Sequence, residues 1–257
     1  MNPRTINLNA DLGESFGAWT MGDDAALLPV IGSASIACGF HAGDPLVMRD
    51  TVRLALANGV SLGAHPAFPD LQGFGRRVMQ LSPKDLEATI LYQVGALQAM
   101  AAVEGGRVTH VKPHGALSNM ACADAAMAAT VARAVKALDP HLILLAPALS
   151  ALEHAGEAAG LRVAREVFAD RSYQADGQLT PRSLPGAVLR DAQACVQHVL
   201  RMLDAGGIVT ADGRCLSTPI HSICVHGDGP AAVASAQQIR QALQAAGYRL
   251  APLTALA

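Results

Sequence analysis

The first polar pattern lies near the start of the chain, where Asn7, Asn9 and Asp11 alternate with apolar residues. Side chains of a β-strand alternate between its two faces, so these three residues share one face of a predicted strand. A row of amides and a carboxylate is costly inside a fold unless it meets polar partners, water or substrate. We therefore predict that Asp11 acts in a functional site. A turn or capping role explains Asn9 equally well, and it is the favoured interpretation for Asn7.

Two imidazoles close the next two apolar runs that have the composition of strands. His41 lies among glycines in segment 38–44, and glycine lets a backbone approach a ligand closely. His65 directly follows the run 60–64. Both imidazoles could transfer protons near neutral pH, and together with Asp11 they could bind a divalent metal. A packed core histidine is the alternative interpretation of His41.

The fourth run carries His110, Lys112 and His114 on one predicted strand face. A desolvated lysine is costly unless it is paired or used in chemistry, so Lys112 is predicted to polarise a carbonyl or hold a phosphoryl oxygen. His114 could transfer protons, whereas His110 lies deeper and is interpreted as structural. Glu166, near the end of the sixth run, could orient Lys112, and a purely structural ion pair explains Glu166 about equally well.

Further charged groups follow the third, sixth and seventh runs. Asp170 comes after the sixth run, and His226 and Asp228 share a face at the end of the seventh, although Asp228 could simply cap the next helix. Arg76 and Arg77 lie among glycines in the loop after the third run, a pattern that suits phosphate or carboxylate. A solvated basic loop explains Arg77 equally well.

A recurring unit of helix, glycine and strand must position these side chains. Ala-rich helical stretches end at glycine, which suits the left-handed residue just past a helix, and a short β-branched run follows. Asp44-Pro45 and Ser82-Pro83 are typical helix starts. Such alternation requires a parallel sheet with helices packed outside it. The predicted strands are 5–10, 33–38, 60–64, 107–112, 142–146, 161–168 and 222–226, with a hairpin turn at Asp212-Gly213.

Polar residues at the ends of nearly all these runs favour an α/β fold of the TIM-like (β/α) barrel type, with seven strands. A doubly wound sheet would carry a glycine-rich fingerprint after its first strand, and none follows Asp11. No linker or shift of composition divides the chain, so we predict one domain over residues 1–257. The sequence also lacks the G-x-S-x-G elbow, the P-loop and the H-E-x-x-H motif.

The composition fits a globular enzyme in a reducing compartment. Hydrophobic residues make up 51% of the chain and charged residues 16%, so a large core can be buried. A net charge of −2 without basic tracts argues against nucleic acid, and no apolar run reaches the length that spans a membrane. The start of the chain lacks the blocks of a signal peptide. Five cysteines without C-x-x-C spacing argue against disulfides or a structural zinc cluster, so we expect a cytoplasmic protein.

Seven segments carry a recognisable pattern, in order, over essentially the whole chain. They are NLNADLGE at 7–14, IACGFHAGD at 36–44, GAHP at 63–66, GFGRR at 73–77, VKPHGAL at 111–117, EVFADR at 166–171 and VHGD at 225–228. Together they resemble the LamB/YcsF family. One departure is Ser118, where the family pattern leads us to expect Tyr. The resemblance implies a seven-stranded barrel similar to the glycoside hydrolase/deacetylase superfamily.

The resemblance also implies an activity, the ATP-dependent opening of the lactam 5-oxo-L-proline (pyroglutamate) to L-glutamate with ADP and phosphate. Such enzymes work with two further subunits, of types B and C, and use ATP with Mg²⁺ as co-substrate. A five-membered lactam is a stable amide, and phosphorylating its oxygen would give an activated imidate that water can attack. Two alternatives are a metal-dependent deacetylase or amidohydrolase acting alone, and a non-catalytic subunit that holds substrate.

The predicted site residues follow from the strand ends together with this resemblance. The catalytic set is Asp11, His41, His65, Lys112, His114 and Glu166. The substrate- or phosphate-binding set is Asn9, Arg76, Asp170, Arg171, His226 and Asp228, and a divalent metal would be bound at Asp11, His41 and His65. Asp11 or a neighbouring histidine would act as base toward water, with Lys112 and Arg76 stabilising phosphoryl or carboxylate oxygens.

Overall fold

A closed parallel barrel forms the centre of the computed structural model, which describes residues 4–226 and 232–256. Along the chain the strands are β1 (Arg4–Leu12), β2 (Ser33–Ala37), β3 (Ser61–His65), β4 (Val108–Val111), β5 (Ile143–Pro147), β6 (Arg162–Phe168), β7 (Gly207–Val209), β8 (Cys215–Ser217), β9 (Ser222–Val225) and β10 (Tyr248–Leu250). Strands β1 to β6 and β9 pair in chain order. Pairing of β1 with β9, from Asn7 opposite Ser222 to Ala10 opposite Val225, closes the barrel.

The prediction of seven barrel strands is confirmed, and each observed strand begins and ends within two residues of its predicted bounds. The apolar face of β1 lies outside the barrel, where Ile6, Leu8 and Ala10 are buried in the main core. This arrangement leaves Asn7, Asn9 and Asp11 on the inner face, as the two-residue period requires.

Helices surround the barrel and begin where the sequence indicates. They are α1 (Asp24–Leu27), α2 (Pro45–Ala57), α3 (Pro83–Val103), α4 (Gly115–Ala123), α5 (Ala125–Leu138), α6 (Ala151–Ala158), α7 (Ala192–Ala205) and α8 (Ala232–Ala245), with a 3-10 turn at Leu253–Ala255. The Asp44 carboxylate accepts hydrogen bonds from the N–H groups of Leu46 and Val47 at the start of α2. Ser82 caps α3 in the same way. Both predicted caps are therefore confirmed.

Two small elements lie outside the barrel. Strands β7 and β8 form the antiparallel hairpin predicted around Asp212-Gly213, and Gly213 has the positive φ of 84° that such a turn needs. Strand β10 was not predicted; it pairs with the first residues of β1. Just beyond it, the carbonyl of Ala251 accepts a hydrogen bond of 2.8 Å from Asn7 Nδ2, which covers the end of the barrel opposite the strand ends that carry the predicted site.

Helix α3 is, among the described helices, long and apolar enough to cross a membrane when judged by length and composition alone. One of its faces is buried, with Leu86, Ile90, Val94 and Leu97 in the main core. It packs against α5 and against strands β3 and β4. The core helix of a soluble protein passes the same test of length and composition.

We expect Gly63→Ala to destabilise the fold. A Cβ at this position of β3 would overlap with the imidazole of His110, which is fully buried beside it. Overpacking of this kind costs about 1–3 kcal/mol. Gly95→Ala in α3 is the matched control, because nothing lies within 4 Å of its added methyl group and alanine favours a helix by about 0.5–1 kcal/mol. Urea-induced unfolding should give opposite signs for the two variants; equal stabilities would refute the close packing.

Candidate active site

A cavity of about 660 Å³ opens at the carboxyl ends of the barrel strands. In a barrel of this type the loops after the strands bring side chains from separate parts of the chain to one face. The sequence-predicted residues that line the cavity are Asp11, His65, Arg76, Lys112, His114, Arg171 and His226. They come from β1, β3, β4, β6 and β9 or from the loops that follow those strands, which confirms that these groups converge.

The ammonium group of Lys112 lies inside the barrel between two carboxylates. Its Nζ atom is 2.9 Å from Asp11 Oδ1 and 3.0 Å from Glu166 Oε1. It also donates toward Asn9 Oδ1 at 3.2 Å and Cys224 Sγ at 3.1 Å. Four acceptors therefore surround a group with three protons, and the side chain is only 5% exposed. The donors of Lys112 are thus engaged by the protein and hold Asp11 in place. The contact of Lys112 with a carbonyl or phosphoryl oxygen that the sequence predicts stays a prediction.

Amides and hydroxyls extend this network toward the closed end of the barrel. Asn9 Nδ2 donates to Glu166 Oε1 and to Ser222 Oγ, each at 2.8 Å. Ser222 Oγ in turn donates to Asn7 Oδ1 at 2.6 Å, and Asn7 Nδ2 donates to Ser33 Oγ at 2.9 Å. All of these groups are buried. Asn7 is therefore structural, as favoured from the sequence, whereas Asn9 fixes the orientation of Glu166 and Lys112.

The ionisable groups inside the barrel have pKa values shifted in different directions. Burial alone would raise the pKa of Asp11, but the neighbouring His65 and Lys112 hold it well below its ordinary value. Burial raises the pKa of Glu166, and the charge of Asp11 adds to that rise. Burial opposes the charge on Lys112, but Asp11, Cys224 and Glu166 raise its pKa well above the usual range. Asp11 is thus the ionised carboxylate at the cavity, as a general base requires.

Three imidazoles and one carboxylate form a compact group beside Asp11. The rings of His41 and His114 stack with centroids 3.8 Å apart, and His65 meets His114 edge-on at 4.8 Å. Glu14 Oε1 lies 3.1 Å from His41 Nε2. Burial lowers the pKa of both His41 and His114 well below the ordinary value, and neighbouring imidazoles add to the effect. The rings of His41 and His114 are therefore neutral at neutral pH, which is the form of an imidazole that binds a metal.

His226 lines the cavity and forms a pair with Asp170. His226 Nδ1 lies 2.8 Å from each oxygen of the Asp170 carboxylate. Burial alone would lower the pKa of His226, but the hydrogen bond and charge of Asp170, with a smaller contribution from Asp11, raise it. Because Asp170 fixes the imidazole of His226 and favours its protonated form, His226 is suited to act as a general acid.

The arginines of the predicted site have different surroundings. Arg76 lines the cavity with its guanidinium over the ring of Phe74, at 5.0 Å from the centroid. Arg77 instead forms an ion pair with Asp70 in the same loop. Arg171 is buried, and it donates to the carbonyls of Thr180 at 2.6 Å and Ala187 at 3.3 Å. Arg171 thus braces the loop between β6 and α7, and its predicted contact with substrate stays a prediction.

Other sequence predictions have simple outcomes. His110 is fully buried away from the cavity, and burial together with Lys112 and His65 lowers its pKa to about 3, which fits the structural role predicted for it. Asp228 lies outside the described residues. Ser118, the departure from the family pattern, lines the cavity. All five cysteines are unpaired.

Sequence reasoning missed Glu14 and Cys224 as members of the site. Glu14 lies beyond the end of β1, after Gly13, whose positive φ of 68° breaks the two-residue alternation used to find inner-face residues. The structure groups Glu14, not Asp11, with His41, His65 and His114, whereas Asp11 lies in a second group with Cys224 and His226. An acidic residue at the end of the segment 7–14 was the available signal for Glu14.

The fold is the barrel seen in carbohydrate-active deacetylases, and the strand-end cavity is where such barrels hold their sites. The chain superposes on the catalytic domain of a peptidoglycan N-acetylglucosamine deacetylase from Eubacterium rectale with a TM-score of 0.54. The alignment covers 100% of this chain and 91% of that one at 12% sequence identity. At this identity the likeness concerns the fold alone. It confirms the α/β barrel class predicted from the strand-end residues.

The particular family is shown by closer relatives. A family model described as LamB/YcsF family matches residues 6–257, and the chain belongs to that family. It is 65% identical to the A-type subunit of 5-oxoprolinase from an Azoarcus species, over 96% of this chain and 97% of the relative. Identity to the A-type 5-oxoprolinase subunit of Methylococcus capsulatus is 54%, over 97% and 96%. The lactam utilization protein from Thermus thermophilus has a TM-score of 0.90 at 45% identity, covering 96% of this chain and 99% of that one.

We expect Lys112→Met to destabilise the protein by about 3–5 kcal/mol, because it leaves buried carboxylates without a counter-charge. The loss should be largest at neutral pH. The pKa of Asp11 is lower in the folded protein than in the unfolded chain, where it is about 3.9, so ionised Asp11 stabilises the wild-type fold above that pH. This stabilisation is lost as the pH falls through the pKa of the folded state, so the variant and the wild type should converge in acid.

Urea unfolding at several pH values measures this effect. Exposed Lys84→Met is the control and should change stability by less than about 0.5 kcal/mol. Adding Asp11→Asn to Lys112→Met should recover part of the loss, since it removes one uncompensated charge. A uniform loss at all pH values would contradict the proposed ion pair.

We expect Asp170→Asn to lower the free energy of unfolding by about 1–2 kcal/mol, the difference between a charged and a neutral hydrogen bond. The pKa of His226 is higher in the folded protein than in the unfolded chain, where it is about 6.5, so protonated His226 stabilises the fold fully below that pH. This stabilisation is lost as the pH rises through the pKa of the folded state. The pKa of Asp170 is lowered in the folded protein, so its carboxylate stabilises the fold above about pH 3.9, the pKa of Asp in the unfolded chain. The loss should therefore be greatest between about pH 4 and 6.5 and small at pH 9; an equal loss at pH 5.5 and pH 9 would rule out the charged pair.

Proposed function

We propose that this chain acts as the A-type subunit of a 5-oxoprolinase, opening the ring of 5-oxo-L-proline to L-glutamate in a reaction driven by ATP. The observation that carries the proposal is the convergence of Asp11, Lys112 and the imidazoles on one cavity, in a chain 65% identical to a 5-oxoprolinase subunit of that type. A subunit that only held its substrate would have no use for this set of buried ionisable groups.

The reaction needs ATP because the lactam is a poor electrophile. Transfer of the γ-phosphoryl group of ATP to the lactam oxygen releases ADP and leaves an imidoyl phosphate, whose ring carbon accepts water. Addition of water to that carbon and cleavage of the ring C–N bond give γ-glutamyl phosphate, with the nitrogen leaving as the amine. A second water then hydrolyses this acyl phosphate to glutamate and phosphate. In our proposal partner subunits of types B and C take part in the reaction, with ATP and Mg²⁺ as co-substrate, in the cytoplasm.

Asp11 is the base in this proposal. It is ionised by its contact with Lys112 and lines the cavity, so it can take a proton from the water that attacks the ring carbon. His226, held by Asp170, would give a proton to the departing ring nitrogen. Arg76 supplies a guanidinium for the phosphoryl or carboxylate oxygens. Glu166 and Asn9 act through Lys112.

We expect Asp11→Asn to lower glutamate release by the reconstituted complex at least about 100-fold, the usual contribution of a general base. The measurement is 5-oxoproline-dependent ATP hydrolysis together with glutamate release, with this chain alone and with its partners added. Asp50→Asn, at an exposed position on α2, is the control and should leave turnover unchanged. Full activity of the Asp11 variant would remove this residue from the mechanism.

The same assay separates the competing functions. Hydrolysis of an amide without ATP or partners would favour a stand-alone amidohydrolase or deacetylase. Unchanged turnover in a variant that carries alanine at both His65 and His114 would favour a subunit that only holds substrate. Lack of any 5-oxoproline-dependent turnover by the complete complex would overturn the proposal itself.

A further inference from the structure

Two buried imidazoles in the cavity wall, His65 and His114, face each other through one nitrogen of each ring. His65 Nδ1 lies 2.6 Å from the backbone carbonyl of Lys112, and His114 Nε2 lies 2.8 Å from the carbonyl of Phe74. A carbonyl oxygen can only accept, so His65 Nδ1 and His114 Nε2 each carry a proton and donate it to that carbonyl. The remaining nitrogens, His65 Nε2 and His114 Nδ1, face each other across 3.0 Å, and they are the atoms of the two rings that a metal ion could bind.

Two carboxylates add further acceptors to the same place. Asp11 Oδ2 lies 3.3 Å from His65 Nε2, and Glu14 Oε1 lies 3.5 Å from His114 Nδ1. His65 and His114 are buried, with 1% and 6% exposure. Glu14 Oε1, His65 Nε2 and His114 Nδ1 belong to a group of possible metal-ligand atoms that all lie within 4.8 Å of one another. This arrangement is typical of a site built for a cation.

We propose that Glu14, His65 and His114 bind one divalent metal ion of the zinc class, a site distinct from the Asp11, His41 and His65 set predicted from the sequence. Bonds of about 2.0–2.1 Å at the tetrahedral angle place ligand atoms roughly 3.3 Å apart. The distances of 3.0 Å and 3.5 Å from His114 Nδ1 to the other two ligand atoms lie on either side of that value. Two imidazoles and one carboxylate suit zinc, cobalt or iron better than magnesium.

The groups behind these ligands have the arrangement that metal sites use to orient their histidines. A metal-binding imidazole usually donates its other N–H to a carbonyl or carboxylate, as both rings do here. His41 Nε2 contacts Glu14 Oε1 at 3.1 Å, and the His41 ring stacks on His114. His41 is therefore a positioning residue for Glu14 and His114 rather than a ligand.

The loop that holds His114 also stores backbone strain. Phe74, whose carbonyl accepts from His114, has a φ of 55°, a left-handed value that is uncommon for an aromatic residue. Gly75 follows with a φ of 62°, and a Cβ there would lie 2.8 Å from His114 Cδ2 and 2.9 Å from His41 Cβ. Strained residues of this kind are found where the surrounding structure fixes a functional geometry. Here the strain directs one carbonyl at the ring nitrogen that must keep its proton.

A metal with three protein ligands keeps a further position for water or substrate, and Glu14, His65 and His114 all line the cavity. When bound, a zinc-class ion would supply a Lewis acid or a more acidic water at this wall. The binding itself does not depend on the proposed ring opening, because it can be measured without substrate, ATP or partners.

The test is a titration of the chelator-treated, folded chain with Zn²⁺ by calorimetry, and with Co²⁺ by visible absorption. We expect one ion per chain, d–d bands of a four-coordinate Co²⁺ site, and a rise in Tm on adding Zn²⁺. His114→Ala should weaken Zn²⁺ binding at least about 100-fold, and His41→Ala about 10–100-fold. His154→Ala, at an exposed position on α6, is the matched control and should bind as wild type does.

Glu14→Gln is the second variant, because it keeps the size of a partly exposed side chain and removes one ligand charge. Circular dichroism shows which variants remain folded, and only these are compared. A wild-type chain that binds no stoichiometric Zn²⁺ would overturn the proposal and leave a shared proton between the two rings. Equal affinity in the folded His114→Ala or Glu14→Gln variant and the His154→Ala control would overturn it as well. Loss of metal binding with 5-oxoprolinase activity retained would support the site and separate it from the reaction.

Discussion

The ammonium group of Lys112 is the interaction on which the interior of the barrel depends. It brings one positive charge between carboxylates that come from β1 and β6, the two strands that flank β9 in the barrel. Without that charge Asp11 would be driven to bind a proton by its buried surroundings. Asn9 and Ser222 complete the network by holding Glu166 in place. The same contacts therefore hold the barrel strands together and keep one carboxylate ionised at the cavity.

The alternation of side chains along a strand was sufficient to predict much of this arrangement. It placed Asn9 and Asp11 inside the barrel from a single run of residues, and it indicated that Lys112 would meet Glu166. It succeeded because a barrel strand has only two faces and its apolar face must contact the helices. Helix caps such as Asp44 were equally readable, because capping depends on a few neighbouring residues.

The parts that were not predicted depend on contacts between segments distant in sequence or on irregular backbone. Gly13 turns the chain after β1, so the side of the barrel that Glu14 faces does not follow from strand parity. The role of Phe74 comes from its carbonyl, which no residue type reveals. Arg77 resembled an anion ligand by its charge, but it forms an ion pair with Asp70 in its own loop. Strand β10 has three residues, too few for a clear pattern.

Closure of the barrel by β1 and β9 has a consequence for the way the protein is made. The two strands are separated by more than 200 residues, so an emerging polypeptide exposes the edge of β1 until translation has passed Val225. An unpaired parallel edge with a polar inner face invites association with other chains. The chain is therefore most exposed to association with other chains during synthesis, before β9 is available to pair with β1.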